Sequence, residues 1–185
     1  MTDEEYLAFE RASPEKHAFL HGELFAMSGG THAHSLTSSN FVREFGVSLH
    51  GRPCEAHGSD LRIHIPATGL YTYADALILC GRPEFRDGVR DTLINPVVIV
   101  EVLSDSTEAY DRGEKFEHYR SIPTLREYVL ASQKRPHVEV FTRDDSGAWV
   151  LRAYDATARV VLASVDVTVA VDDVYARVFD TSANS

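Results

Sequence analysis

The chain has 185 residues, of which 44% are hydrophobic and 25% charged, and its formal net charge is −10. That length and apolar share suit one globular domain with a substantial core. So acidic a chain is a poor candidate for tight, constitutive binding to a polyanion, because phosphate contacts supply most of that affinity. Arg112, Lys115 and Arg120, and separately Lys134 and Arg135, lie close enough in sequence to form a local basic patch, which leaves room for transient contact with DNA. No apolar run is long enough to cross a membrane, and the acidic start of the chain does not read as a signal peptide, so a cytoplasmic protein is expected. Cys54 and Cys80 lack the spacing of a metal or redox motif and read as buried, reduced thiols.

Residues 3–11 form an expected short helix, ended by Ser13-Pro14. Residues 17–27 place apolar side chains on both sides of His21-Gly22-Glu23, the pattern of two strands joined by a tight turn. After a flexible corner at 28–30, Thr31 or Ser35 caps a long helix reaching His50, with Phe41, Val42, Phe45 and Leu49 at helical spacing. Residues 59–65 alternate as a strand, with Asp60, Arg62 and His64 on one face. A second strand is expected over 73–80. A loop rich in Gly, Pro and charge leads to 96–103, an apolar run that reads as a central strand buried on both faces. A helix over 111–119 follows, then strands over 127–131, 137–142, 148–154 and 159–169, and a closing helix over 171–179. The domain is expected to span 1–180, with 181–185 as a disordered tail.

Two acids interrupt apolar strands, Asp75 in the first and Glu101 in the second. A lone buried carboxylate is strongly unfavourable unless it is paired, protonated or bound to a cation. Two carboxylates converging from neighbouring strands offer the hard oxygen ligands that Mg²⁺ or Mn²⁺ prefers. In a helix starting at Asp111, Lys115 and Tyr119 follow one turn apart on the same face. Lys115 could then stabilise a phosphate transition state, with Asp111 and Tyr119 in support. Equally, Glu101 could form a purely structural ion pair with Lys115 or Arg112. The loose spacing of His17, His21, His32 and His34 makes a zinc site a weak reading. Ser104, Ser106 and Thr107 read as turn and capping residues, since no nucleophile elbow surrounds them.

Asp75, Glu101-Val102-Leu103-Ser104, Asp111 followed by Lys115 and Tyr119, and Arg126-Glu127-Tyr128-Val129-Leu130 together resemble the Uma-two family of restriction-endonuclease-like proteins. His21-Gly22-Glu23-Leu24, His34-Ser35 and Gly58-Ser59-Asp60-Leu61-Arg62 carry the resemblance upstream, so that it spans about residues 3–178. The family is similar to PD-(D/E)XK nucleases. The resemblance therefore implies an α/β fold with a mixed central sheet flanked by helices, and a metal held by Asp75 and Glu101. It also implies a catalytic lysine at Lys115, because Leu103 fills the usual position after Glu101. The resemblance makes His34 a candidate to contact the site from a helix start, the alternative being an exposed or capping histidine. Four positions depart from the family pattern: Ala74 stands where proline is frequent, Ala18 where a glutamate precedes the turn, His21 where an aspartate does, and Asp105 where proline is common. Glu23 and His17 are candidates to compensate for Ala18.

The reading is a metal-dependent DNA endonuclease using Mg²⁺ or Mn²⁺. The alternative is a catalytically inactive relative that binds a nucleic acid or a protein. Cutting both strands of a duplex would favour a homodimer.

Overall fold

The computed structural model describes residues 1–27 and 29–179. Position 28 of the expected corner and the expected tail at 181–185 lie outside the described residues. Helix α1 (Asp3–Ala12) is set by a capping box, in which Thr2 accepts from the Glu5 amide and Glu5 reaches back to the Thr2 amide. The hairpin β1 (His17–Leu20) and β2 (Glu23–Ala26) turns at His21-Gly22, both with positive φ. Helix α2 (His32–Ser48) starts at Thr31, whose hydroxyl accepts from the His34 amide.

The next strands are β3 (Cys54–Gly58), β4 (Arg62–Ile65), β5 (Leu70–Tyr73) and β6 (Ala76–Cys80). After the two-residue β7 (Thr92–Leu93) comes β8 (Val98–Leu103), followed by helices α3 (Glu108–Arg112) and α4 (Glu114–Arg120). The chain then forms β9 (Glu127–Ser132), β10 (His137–Arg143), β11 (Trp149–Asp155), β12 (Arg159–Leu162), β13 (Val167–Ala170) and α5 (Val171–Val174).

Among the described residues these strands make three sheets: β2-β1-β5-β4-β7, β11-β10-β9-β8-β6-β3, and the hairpin β12-β13. The large sheet is mixed, since β8 runs parallel to β9 and antiparallel to β6. Its central strands β6, β8 and β9 bury both faces. On one, Ile78, Val98, Val100 and Val129 pack with Phe41 and Phe45 of α2 and with β12-β13 and α5. On the other, Leu77, Ile99 and Leu130 pack with Phe116 and Tyr119 of α4 and with Ile63 and Ile65 of the smaller sheet. The expected α/β architecture, a mixed sheet flanked by helices, is what the structure shows.

Several elements depart from the sequence reading. The strand expected over 73–80 is two strands in two different sheets, with Ala74 and Asp75 as the crossing between them. Strand β4 begins only at Arg62, and Asp60 lies in the preceding turn, where it pairs with Lys16 at 2.7 Å. The helix expected over 111–119 is α3 and α4, broken at Gly113 (φ −110°, ψ −98°). The strand expected over 159–169 is a hairpin, because a 3₁₀ turn at Ala163–Val165 and left-handed Asp166 reverse the chain. The reduced-thiol expectation is also corrected. Cys54 and Cys80 are register partners on β3 and β6, with Cα atoms 4.0 Å apart, and are joined as a disulfide. Spacing along the chain, 26 residues here, carries no information about which strands pair.

Candidate metal centre

Alternation along β8 puts Glu101 on the same face as Ile99 and Leu103, toward α4. There Lys115 Nζ lies 2.8 Å from Glu101 Oε1, and the Tyr119 hydroxyl donates to the same oxygen at 2.8 Å. Lys115 Nζ also lies 3.5 Å from Asp111 Oδ1 and donates to the Tyr73 carbonyl at 3.4 Å. Asp111 thus remains within reach of Lys115 despite the break at Gly113. The hydroxyl of Tyr128 donates to the Asp111 carbonyl at 2.9 Å, tying α3 to the sheet.

Asp75 arrives from the crossing between sheets. Its amide donates to the Val100 carbonyl at 3.1 Å, and its carbonyl accepts from the Ser38 hydroxyl at 2.8 Å. The carboxylate oxygen Oδ2 accepts from the Val102 amide at 2.7 Å and lies 3.3 Å from His34 Nε2. His34 and Ser38 are one helical turn apart on α2, so a single helix face holds both the backbone and the side chain of Asp75. Gly30 is required beside them: a Cβ there would stand 2.6 Å from His34 Nδ1. The Thr31 cap is itself held from the far side, its hydroxyl donating to Gln133 Oε1 at 2.9 Å.

Burial pushes the Glu101 carboxyl above the usual carboxylate range against the pull of Lys115, and Asp111 and Asp75 push it further in the same direction. Burial works against the Lys115 charge, but Glu101, Asp111 and Asp75 together outweigh it and hold the ammonium. The hydrogen bond to Asp75 raises the His34 imidazole, again against burial. Each acid commits one oxygen to protein donors. The other oxygen, Oδ1 of Asp75 or Oε2 of Glu101, has no hydrogen-bond partner among the described residues.

The structure therefore brings Asp75, Glu101, Lys115, Asp111, Tyr119 and His34 together. Glu23 does not join them; it stands exposed on edge strand β2, in no hydrogen bond or ion pair among the described residues. His17 is engaged elsewhere, with Nδ1 3.0 Å from Glu10 Oε2. Ala18 lies on the strand face shared by Lys16 and Leu20. Lys16 reaches over the Tyr73 ring and Leu20 packs against the cluster that includes Tyr119, so the side chain missing at Ala18 is missing on the site's side of β1. The contributions of Ser38, Val102, Tyr128 and Gln133 were not legible in the sequence.

The chain matches, over residues 3–172, the family described as "Uma2: Putative restriction endonuclease". It belongs to that family. A Synechocystis sp. protein named "Uncharacterized protein slr1290" is 38% identical over 175 residues, covering 95% of this chain and 91% of that protein. A second protein of the same organism, "Uncharacterized protein sll1609", is 33% identical over 151 residues, covering 82% and 85%. A crystal structure described as a putative nuclease belonging to DUF820, from Anabaena variabilis, superposes with a TM-score of 0.74 at 17% identity, covering 95% of this chain and 97% of that one. At that identity the likeness is one of fold. It extends over nearly the whole of both chains. No helix among the described residues is long and apolar enough to cross a membrane.

Proposed function

We propose that this Uma2 protein is a DNA endonuclease that hydrolyses phosphodiester bonds with a divalent cation, Mg²⁺ or Mn²⁺, held by Asp75 and Glu101. The observation that carries this is the pair of half-committed carboxylates: each has one oxygen fixed by protein donors and one left over. Among the described residues no three His, Cys, Asp or Glu side chains form a ready cage. That donor set suits Mg²⁺ or Mn²⁺, which take one or two carboxylates and complete their shell with water and substrate phosphate, better than it suits zinc.

A cation in this position polarises the phosphate and acidifies a bound water toward neutral pH. The remaining work falls to the chain's own side chains. Val102, through its amide, and His34 fix the rotamer of Asp75, while Tyr119 does the same for Glu101. Burial pushes the Glu101 carboxyl up, so a bound cation would favour its ionised form. Lys115, 2.8 Å from Glu101, would offer its charge to the phosphate oxygens where negative charge accumulates.

Ala18 and the occupation of Asp75 by His34 favour one alternative, a catalytically silent protein that keeps the fold as a binding module. Titrating Mn²⁺ calorimetrically into the wild type and Asp75→Asn, then assaying DNA cleavage in the same buffer, separates the two. Saturable binding and cleavage, both lost in Asp75→Asn, are expected. A folded wild type that binds no Mn²⁺ and cuts no DNA would instead establish the binding module.

A further inference from the structure

Tyr110 occupies the outer side of α3, immediately before Asp111, and at 37% exposure it is a large ring left open to solvent. Its hydroxyl makes no hydrogen bond among the described residues. Asp111, the next residue of the same helix, lies 3.5 Å from Lys115 Nζ, so α3 carries Tyr110 at the rim of the carboxylate and lysine cluster.

The cations on the surrounding elements are already engaged. Arg112 bonds Glu108 at 2.9 Å and also Glu139. Lys134 bonds Asp105 at 2.5 Å, and Arg135 bonds Asp155 at 3.0 Å, both from the loop that follows β9. Arg120 lies over the Phe116 ring, 5.3 Å from its centroid. Each phosphate drawn to one of the paired cations must displace a carboxylate that then faces it. Affinity for duplex DNA scales with the number of phosphates neutralised, and a chain of net charge −10 with its local cations paired has few to offer. Stacking of an unpaired base on an aromatic ring needs no such charge, because every base has a π-face. A base inside a duplex is already stacked and cannot use Tyr110.

We propose that Tyr110 stacks on an unpaired base next to the scissile phosphate, so that the substrate is single-stranded DNA or an unpaired stretch of it rather than intact duplex. This rests on the nuclease function proposed above. It also removes the need for a two-fold pair of sites, since one strand requires one site.

The test uses the full chain carrying Asp75→Asn, so that DNA is bound and not cut. Fluorescence anisotropy would be read with a labelled single strand and the matching duplex, with and without Mn²⁺, over a range of salt. The single strand is expected to bind at least about tenfold more tightly and with a shallow salt dependence. Adding Tyr110→Ala should weaken single-strand binding by about tenfold, while Tyr110→Phe retains it. Unchanged melting temperatures for both variants would show that the fold is intact. Duplex binding as tight as that of the single strand, or a Tyr110→Ala protein that binds like its parent, overturns the inference while leaving a nuclease in place. Failure of this variant, and of the wild type with Ca²⁺ in place of Mn²⁺, to bind either DNA overturns the nuclease function and this inference together.

Discussion

Glu10 and Glu101 are both buried carboxylates, at 1% and 5% side-chain exposure. Glu10 spends everything it has. Its Oε1 accepts from the His17 amide and the Tyr73 hydroxyl, both at 2.9 Å, and its Oε2 faces His17 Nδ1 at 3.0 Å. Arg62 completes that cluster by donating to the Tyr73 hydroxyl at 3.0 Å, with its guanidinium over the Tyr6 and Tyr73 rings. The result fastens α1 to the smaller sheet. Glu101 instead concentrates Lys115 and Tyr119 on one oxygen and leaves the other uncommitted. The difference teaches that burial of an acid does not distinguish scaffold from site; unspent coordination does. Glu127 falls on the scaffold side, with Ser164 donating to both of its oxygens from the turn after β12.

The contrast breaks most sharply at Lys115. Lys115→Met leaves Glu101 and Asp111 facing one another in the interior, and a loss of about 3–5 kcal/mol in chemical denaturation is expected. Adding Glu101→Gln to that variant should restore much of the loss, because the uncompensated charge goes with it. If the double variant is no more stable than the single one, Lys115 and Glu101 are not an energetic pair.

Glu101→Gln by itself sharpens the comparison against Glu10→Gln. Glu101→Gln should cost about 10²–10³-fold in Mn²⁺-dependent cleavage with a smaller loss of stability than Lys115→Met, since Asp111 still faces the lysine at 3.5 Å. Glu10→Gln should cost about 1 kcal/mol of stability and leave cleavage unchanged, the mark of a group whose hydrogen bonds are structural. Equal losses of cleavage in the two variants, measured at matched fractions folded, would erase the distinction. The smallest effect is expected at His34. Removing its contact with Asp75 in His34→Ala should weaken Mn²⁺ binding about 10-fold, as loss of a group that orients a metal ligand does. Tighter binding in that variant would mean that His34 competes with the cation rather than orienting its ligand.

Much of the site was legible in the sequence because acids are rare inside apolar strands. Asp75 and Glu101 stood out for that reason, and the four-residue steps from Asp111 to Lys115 and Tyr119 survive the break at Gly113. Ser38, Val102 and Gln133 left no such mark, since a serine, an amide and a glutamine gain their roles only from what is placed opposite them. Glu23 shows the reverse failure. Its motif is conspicuous, yet the edge position of β2 keeps it exposed and apart from the other candidates.

By itself the sequence determined the periodic elements: α1 up to its Ser13-Pro14 stop, α2 from its apolar spacing, and β8 from the apolar run around Glu101. Those signals are local, arising within one or two turns of chain. Only the tertiary structure decided that the run from Tyr73 to Cys80 divides between two sheets, that Cys54 meets Cys80, and that His34 reaches Asp75 from 41 residues away in the chain. Strand pairing is selected by the burial of whole faces against one another. No short stretch of residues carries that information.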